Sequence, residues 1–222
     1  MKRHLKLFLP LIFFATSFSS YGQDSDLGNW IIYIGSKKIN SKLNWHHEVQ
    51  YRNYNAIGDL EQLLLRTGLG INLSENNNNL LFGYGFILSE NYLEDSDEKS
   101  SVSEHRLFQQ FITKQKFSRV GIQHRYRFEQ RFVEDDFKLR FRYFLGVSLA
   151  LTQKEMTDKT LYLSAYNEIF LNTEGGAYDR NRLYGGLGYK VNKLIRVEAG
   201  YMNQFLGDAN RDQINLITFL NF

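Results

Sequence analysis

The sequence has no cysteine, so it has neither a disulfide framework nor thiolate chemistry. It has one proline, Pro10, and none beyond it. Proline removes a donor from a β-ladder, so a chain free of it can be paired strand almost throughout. After position 23 there is no apolar run approaching the roughly 18 residues of a spanning helix. An excess of one charge sign is missing too. The formal net charge is +3, but Lys2, Arg3 and Lys6 all lie in the first segment, and residues 23–222 carry 24 basic and 24 acidic side chains. That balance lacks the basic footprint of a nucleic-acid-binding protein.

The first segment reads as an export signal. A positive start at Lys2, Arg3 and Lys6 precedes an apolar stretch from Leu7 to Phe18, and Ser20 and Gly22 supply the small residues a signal peptidase needs. The expected division is a cleaved leader over 1–22 and one domain over 23–222.

From there the pattern has a period of two. Ile122, Tyr126 and Phe128 fall on one face, and Gln123, Arg125, Arg127 and Glu129 on the other. In the next segment Phe137, Leu139, Phe141, Tyr143, Leu145, Val147, Leu149 and Leu151 share a face opposite Lys138, Arg140 and Arg142. A helix would mix these classes around its circumference, whereas a strand separates them. Eleven such segments are expected, over 29–38, 42–54, 61–73, 79–91, 103–115, 118–131, 137–152, 160–171, 180–191, 194–205 and 212–222. Most reach the ~9–11 residues a tilted strand needs to cross a bilayer. The connections alternate between short turns and mostly longer, Asp-, Glu- and Gly-rich loops, as between the periplasmic and external sides of an outer-membrane barrel. Such barrels normally have an even number of strands. An odd count therefore points to about ten or twelve, with the segment from Trp30 to Lys38 the expected outlier.

If the apolar face meets lipid, the lumen receives Glu48, Arg52, Arg66, Arg125, Arg127, Glu129, Arg131, Lys138, Arg140, Arg142, Glu168, Arg180, Arg182, Arg196 and Glu198. An Arg or Lys facing mid-bilayer costs roughly 2–4 kcal/mol. Inside, arginine forks can grip carboxylates. Gly68, Gly70, Gly83, Gly85, Gly186 and Gly188 also fall inward, leaving room for long arginines. The strand at 103–115 does not resolve, because Arg106 and Gln110 share a face with Phe108 and Ile112. At the C-terminus, Ile214, Leu216, Thr218, Leu220 and Phe222 alternate up to a terminal aromatic residue. This resembles the signal read by the outer-membrane barrel assembly machinery.

Several motifs together resemble the uncharacterised domain-of-unknown-function family 2490. They are Trp30, Glu48-Val49-Gln50-Tyr51-Arg52, Asn167-Glu168-Ile169-Phe170-Leu171-Asn172, the stretch from Arg180 to Tyr189, and Glu198-Ala199-Gly200-Tyr201. The resemblance covers nearly all of the chain after the leader. It implies an outer-membrane location and supplies neither a known activity nor catalytic residues.

The inward ions have two readings. They form a satisfied internal plug, the expected one because small barrels are filled by side chains, or they attract and pass small anions such as phosphates and carboxylates. A lipid hydrolase is a different class of reading. Its candidate base is His105 near Ser101 and Ser103, but a nucleophile and its base must lie within hydrogen-bond reach and no nucleophile elbow is present. His124 falls on the lipid face. The adjacent His46 and His47 point to opposite faces, which disfavours shared metal binding. The acidic run from Glu94 to Glu98 lacks the spacing of a calcium loop, and no helix follows Gly185-Gly186 to make a phosphate loop. A soluble, lipocalin-like periplasmic barrel would instead place the apolar face inward around a ligand. The expectation is therefore an all-β, antiparallel transmembrane barrel surrounded by outer-membrane lipid, with no cofactor, metal or catalytic constellation and with the barrel assembly machinery as its partner during biogenesis.

Overall fold

The computed structural model describes residues 27–222 apart from positions 57, 75, 76, 95 and 208. The expected leader over 1–22 lies outside the described residues. The chain forms eleven strands: β1 (Gly28–Lys38), β2 (Leu43–Asn53), β3 (Leu60–Asn72), β4 (Asn78–Tyr92), β5 (Lys99–Phe117), β6 (Val120–Val133), β7 (Asp136–Ala150), β8 (Thr160–Asn172), β9 (Tyr178–Lys190), β10 (Ile195–Leu206) and β11 (Ala209–Asn221). Each pairs antiparallel with its sequence neighbour, and β1 closes the barrel against β11.

The closure departs from the expected even count. An up-and-down sheet with an odd number of strands can close only if its first and last strands run parallel. Here β1 and β11 do so in register from Gly28↔Gln213 to Ser36↔Asn221. The segment beginning at Trp30 is thus a wall strand, paired on its other edge with β2 from Asn29↔Asn53 to Lys38↔Asn44. Its inward side chains hold the seam from within: Trp30 and Ile32 pack against Tyr184, Met202 and Ile217. Burying an aromatic side chain removes roughly 150–250 Å² from water, worth on the order of 4–6 kcal/mol at about 25 cal/mol per Å².

One rim holds the start of β1 and the connections 54–59, 93–98, 134–135, 173–177 and 207–208. The other holds Phe222 and the connections 39–42, 73–77, 118–119, 151–159 and 191–194. The strands at the Gly28 rim run further than their alternation suggests. β5 begins at Lys99 and β11 at Ala209, which takes residues from the acidic loops. The tight turns at 118–119 and 134–135 place Ser118 (φ 53°) and Glu134 (φ 51°) in the left-handed region.

The two faces of the wall separate cleanly. Ile31, Val49, Leu65, Phe82, Leu107, Phe141, Leu163, Leu183 and Leu216 are exposed on the outside. Exposed aromatics stand toward both rims, with Tyr51, Phe132, Phe137 and Tyr178 at the Gly28 end and Trp45, Phe117 and Phe222 at the other. Glu48, Arg52, Arg66, Arg127, Glu129, Arg140, Arg142, Glu168, Arg182 and Glu198 are buried inside. This is the reverse of the lipocalin arrangement.

The inward glycines serve a different purpose from the one expected. A methyl group on Gly83 would collide with the Phe108 ring, and one on Gly188 with Tyr162. On Gly186 it would meet the Tyr184 phenol. Of the six, only Gly85 makes room for an arginine, with the Arg66 Cγ 3.2 Å from where its Cβ would stand. Rings, more than guanidiniums, occupy the space the glycines leave.

Candidate functional site

The charges in the Gly28-end half of the lumen form a branched network. At its centre is Glu129, fully buried between strands of opposite direction. Its Oε2 accepts from Arg140 Nη2 (2.7 Å) and Nε (3.0 Å), and its Oε1 from Arg142 Nη1 (2.8 Å). Arg142 continues to Glu168 Oε1 through Nη2 (2.7 Å) and Nε (3.1 Å), and Arg125 Nη2 reaches the same oxygen at 2.7 Å. Arg140 also bonds Asp179 at 3.1 Å, and Arg180 bonds that carboxylate at 3.2 Å. Glu48 pairs with Arg66 at 2.6 Å.

Strand alternation brings these groups together. Arg140 and Arg142 lie two residues apart and so share the inner face. The register places Arg140 opposite Glu129 and Arg182 opposite Glu168. A buried ion pair is stable only when most of its donors and acceptors are satisfied, and here forks from four strands supply those bonds. Rings complete the packing. Phe170 has the guanidiniums of Arg142 and Arg182 at 4.3 and 4.6 Å from its centroid. Phe108 holds Arg127 at 4.8 Å. Such stacking contributes about 0.5–2 kcal/mol per pair.

Three expected lumen residues lie at the rim or in the other half of the barrel. Arg196 and Glu198 belong to the Phe222 half of the barrel, where Tyr162 donates to Glu198 at 2.8 Å and Arg196 stacks on Phe219 at 3.8 Å. Lys138 has inward parity but stands at the rim, where β7 is only beginning. It is half-exposed and pairs with Asp136 at 3.1 Å. Conversely, the strand at 103–115 contributes two inward ions that alternation left unassigned. Glu104 binds Arg106 through Nε (2.5 Å) and Nη2 (2.7 Å), and Arg131 through Nε (2.6 Å) and Nη2 (3.0 Å). The even-numbered face of that strand was the available signal. It was obscured by Phe108, which the lumen accepts as a partner for Arg127.

Above the network a cavity of about 220 Å³ opens toward the Gly28 rim. Arg52, Arg66, Arg106 and Arg131 line one side, and Arg140, Arg142, Arg180 and Arg182 the other. Glu104 is its one acidic wall residue, and Gln62, Ser89 and Asn91 add neutral polar groups. Below it the waist is filled. Phe108, Glu129, Tyr184 and Met202 are each at most 2% exposed. Among the described residues, five carboxylates (Glu48, Glu104, Glu129, Glu168 and Asp179) serve seven of these eight arginines, all but Arg52, together with Arg125 and Arg127. The vestibule therefore carries a surplus of positive charge, focused by low-dielectric walls.

At the rim itself, Asp59 links the 54–59 loop to the neighbouring strands. It accepts from Tyr92 at 2.8 Å and from Lys99. Desolvation works against its charge, but these bonds hold its carboxyl below the usual carboxylate range.

His46, His47 and His124 keep to the faces that alternation assigns. His46 turns inward to Glu48 at 3.3 Å. His47 turns outward among Trp45, Tyr33 and Phe222. His124 lies against the Tyr143 hydroxyl at 2.9 Å. His105 Nδ1 faces the Tyr84 hydroxyl at 2.6 Å, while the Ser101 hydroxyl donates to Glu90 at 2.7 Å.

No solved structure matches the chain. An uncharacterized protein of Methylorubrum extorquens is 32% identical over 165 residues, spanning 71% of this chain and 69% of that protein. Residues 27–215, the whole barrel but for the last part of β11, match the family described as a protein of unknown function, DUF2490. This chain belongs to the DUF2490 family.

Proposed function

We propose that this protein is exported to a bacterial outer membrane and sits there as a barrel with a filled waist, holding a small anion in the vestibule at its Gly28 end. The observation that carries this reading is the vestibule wall, with eight arginines and one glutamate around a solvent-open cavity of about 220 Å³. Burying cations is costly without counter-charge, and a concave cationic surface concentrates anions. The apolar outer face with aromatics toward both rims suits a bilayer. In this reading lipid surrounds that face, the leader over 1–22 directs export, and the acidic loops at the Gly28 rim lie outside the cell. The C-terminal Phe222, whose backbone N–H donates to Ser36 at 3.0 Å, is the group the barrel assembly machinery reads.

Anion passage is the weaker reading, because buried side chains occupy the waist. Lipid hydrolysis draws no support from the geometry around His105, whose ring faces a tyrosine hydroxyl on the outer face.

The test combines cell fractionation with calorimetric titration of sulfate into the refolded barrel. The protein is expected in the outer-membrane fraction, binding one sulfate saturably. An Arg131→Gln/Arg180→Gln variant is expected to bind about tenfold more weakly, the cost of lost charge-assisted bonds. Recovery in the soluble periplasm, or heats without saturation, contradicts the proposal.

A further inference from the structure

We infer that the floor of the vestibule is a site for one doubly charged phosphoryl group, seated between Arg52 and Arg182; this rests on the anion-binding reading above. The other six vestibule arginines each have a carboxylate at 3.2 Å or closer. Arg52 and Arg182 differ from them. Arg52 is held by neutral amide oxygens, Gln50 Oε1 at 2.5 and 3.1 Å and Gln62 Oε1 at 2.6 Å, and no carboxylate among the described residues pairs with it. Arg182 donates to Gln204 Oε1 at 2.8 Å, and its nearest carboxylate, Glu168, stands at 4.0 Å. Both side chains are buried, at 6% and 7% exposure.

The two guanidiniums converge on one ring. Arg52 lies 3.6 Å and Arg182 4.8 Å from the centroid of Trp30. The indole N–H of that ring is buried and has no partner among the described residues. Amide oxygens orient a guanidinium but do not neutralise it, so neither of these two buried guanidiniums has a carboxylate within hydrogen-bond distance among the described residues.

A phosphoryl group carries about −1.5 to −2 at neutral pH and presents three acceptor oxygens, which matches two forks in both charge and geometry. A monocarboxylate brings half the charge. The cavity is equivalent to about seven waters at roughly 30 Å³ each. That volume holds a phosphoryl group with a short stub. Because the vestibule is open, the group can arrive as free phosphate or as the tip of a lipid headgroup.

Trp30 and Trp45 are the only tryptophans, so a Trp45→Phe barrel reports on Trp30 alone. In phospholipid-free detergent its fluorescence should respond to inorganic phosphate with at least about tenfold preference over acetate, one lost charge interaction being worth about that factor. Arg52→Gln and Arg182→Gln should each weaken phosphate at least about tenfold, more than Arg131→Gln/Arg180→Gln does. Each replacement removes a buried charge that has no carboxylate within hydrogen-bond distance, and circular dichroism verifies the fold. Equal response to phosphate and acetate, or less than about a twofold effect of both variants, overturns the inference. If sulfate still binds in that case, the broader anion reading survives; if no anion binds, both fall. Phosphatidic acid titrated in the same micelles separates the sources. Tighter binding than phosphate marks a headgroup site, weaker binding marks a free-phosphate site, and response to neither ligand overturns the assignment.

Discussion

Glu129 is the residue on which the interior depends most. It has no exposed surface and answers Arg140 and Arg142 with both oxygens, while Arg127 stands 3.5 Å away. Converting it to glutamine would leave buried guanidiniums without their shared countercharge. Breaking a buried pair in this way costs about 3–5 kcal/mol, so Glu129→Gln should unfold well below the parent in a detergent melting experiment. Lys138→Gln, at the half-exposed rim, should stay within about 0.5 kcal/mol. Equal melting of both variants would mean that the network contributes nothing to stability. The same contrast shows what residue parity reveals. It puts both residues on the same side of their strands as the lumen ions, but depth along the strand decides whether such a residue is buried, and depth is set by where the barrel rim falls.

At the scale of strands, glycines and rings act as fitted pairs. Gly83 faces Phe108 across β4 and β5, and an added Cβ would also stand 2.7 Å from the Thr67 carbonyl oxygen, which is backbone and cannot swing away. Gly83→Ala should therefore destabilise the barrel by about 1–3 kcal/mol through overpacking. Phe108→Leu in the same chain should recover only part of this, because the clash with Thr67 remains. Full rescue, measured by the same melting experiment, would mean that the ring alone makes the position intolerant.

The strands themselves were legible, because a wall with apolar side chains outside and ions inside imposes strict alternation. β1 was the exception. Its Trp30, Ile32 and Ile34 are apolar on the inner side as well as the outer, since they close the seam against Tyr184, Met202 and Ile217. β5 was obscured for a related reason: Phe108 sits among Glu104, Arg106 and Gln110 on the inner face. The charge deficit at Arg52 and Arg182 was not legible at all. It depends on which carboxylate each arginine reaches across strands far apart in sequence.

For the molecule as a whole, eleven strands and a parallel seam set the two rims apart. The rim where β1 begins carries the arginine vestibule, and the waist beneath it is filled by Phe108, Glu129, Tyr184 and Met202. As proposed, the barrel is a blind cup that holds an anion and does not conduct it. The most direct test is uptake of radiolabelled sulfate by proteoliposomes containing the verified folded barrel. The account predicts rapid, saturable retention that stays proportional to the protein and does not grow with time beyond lipid vesicles alone. Steady, time-dependent filling of the vesicle interior would contradict it and make the barrel an open anion path.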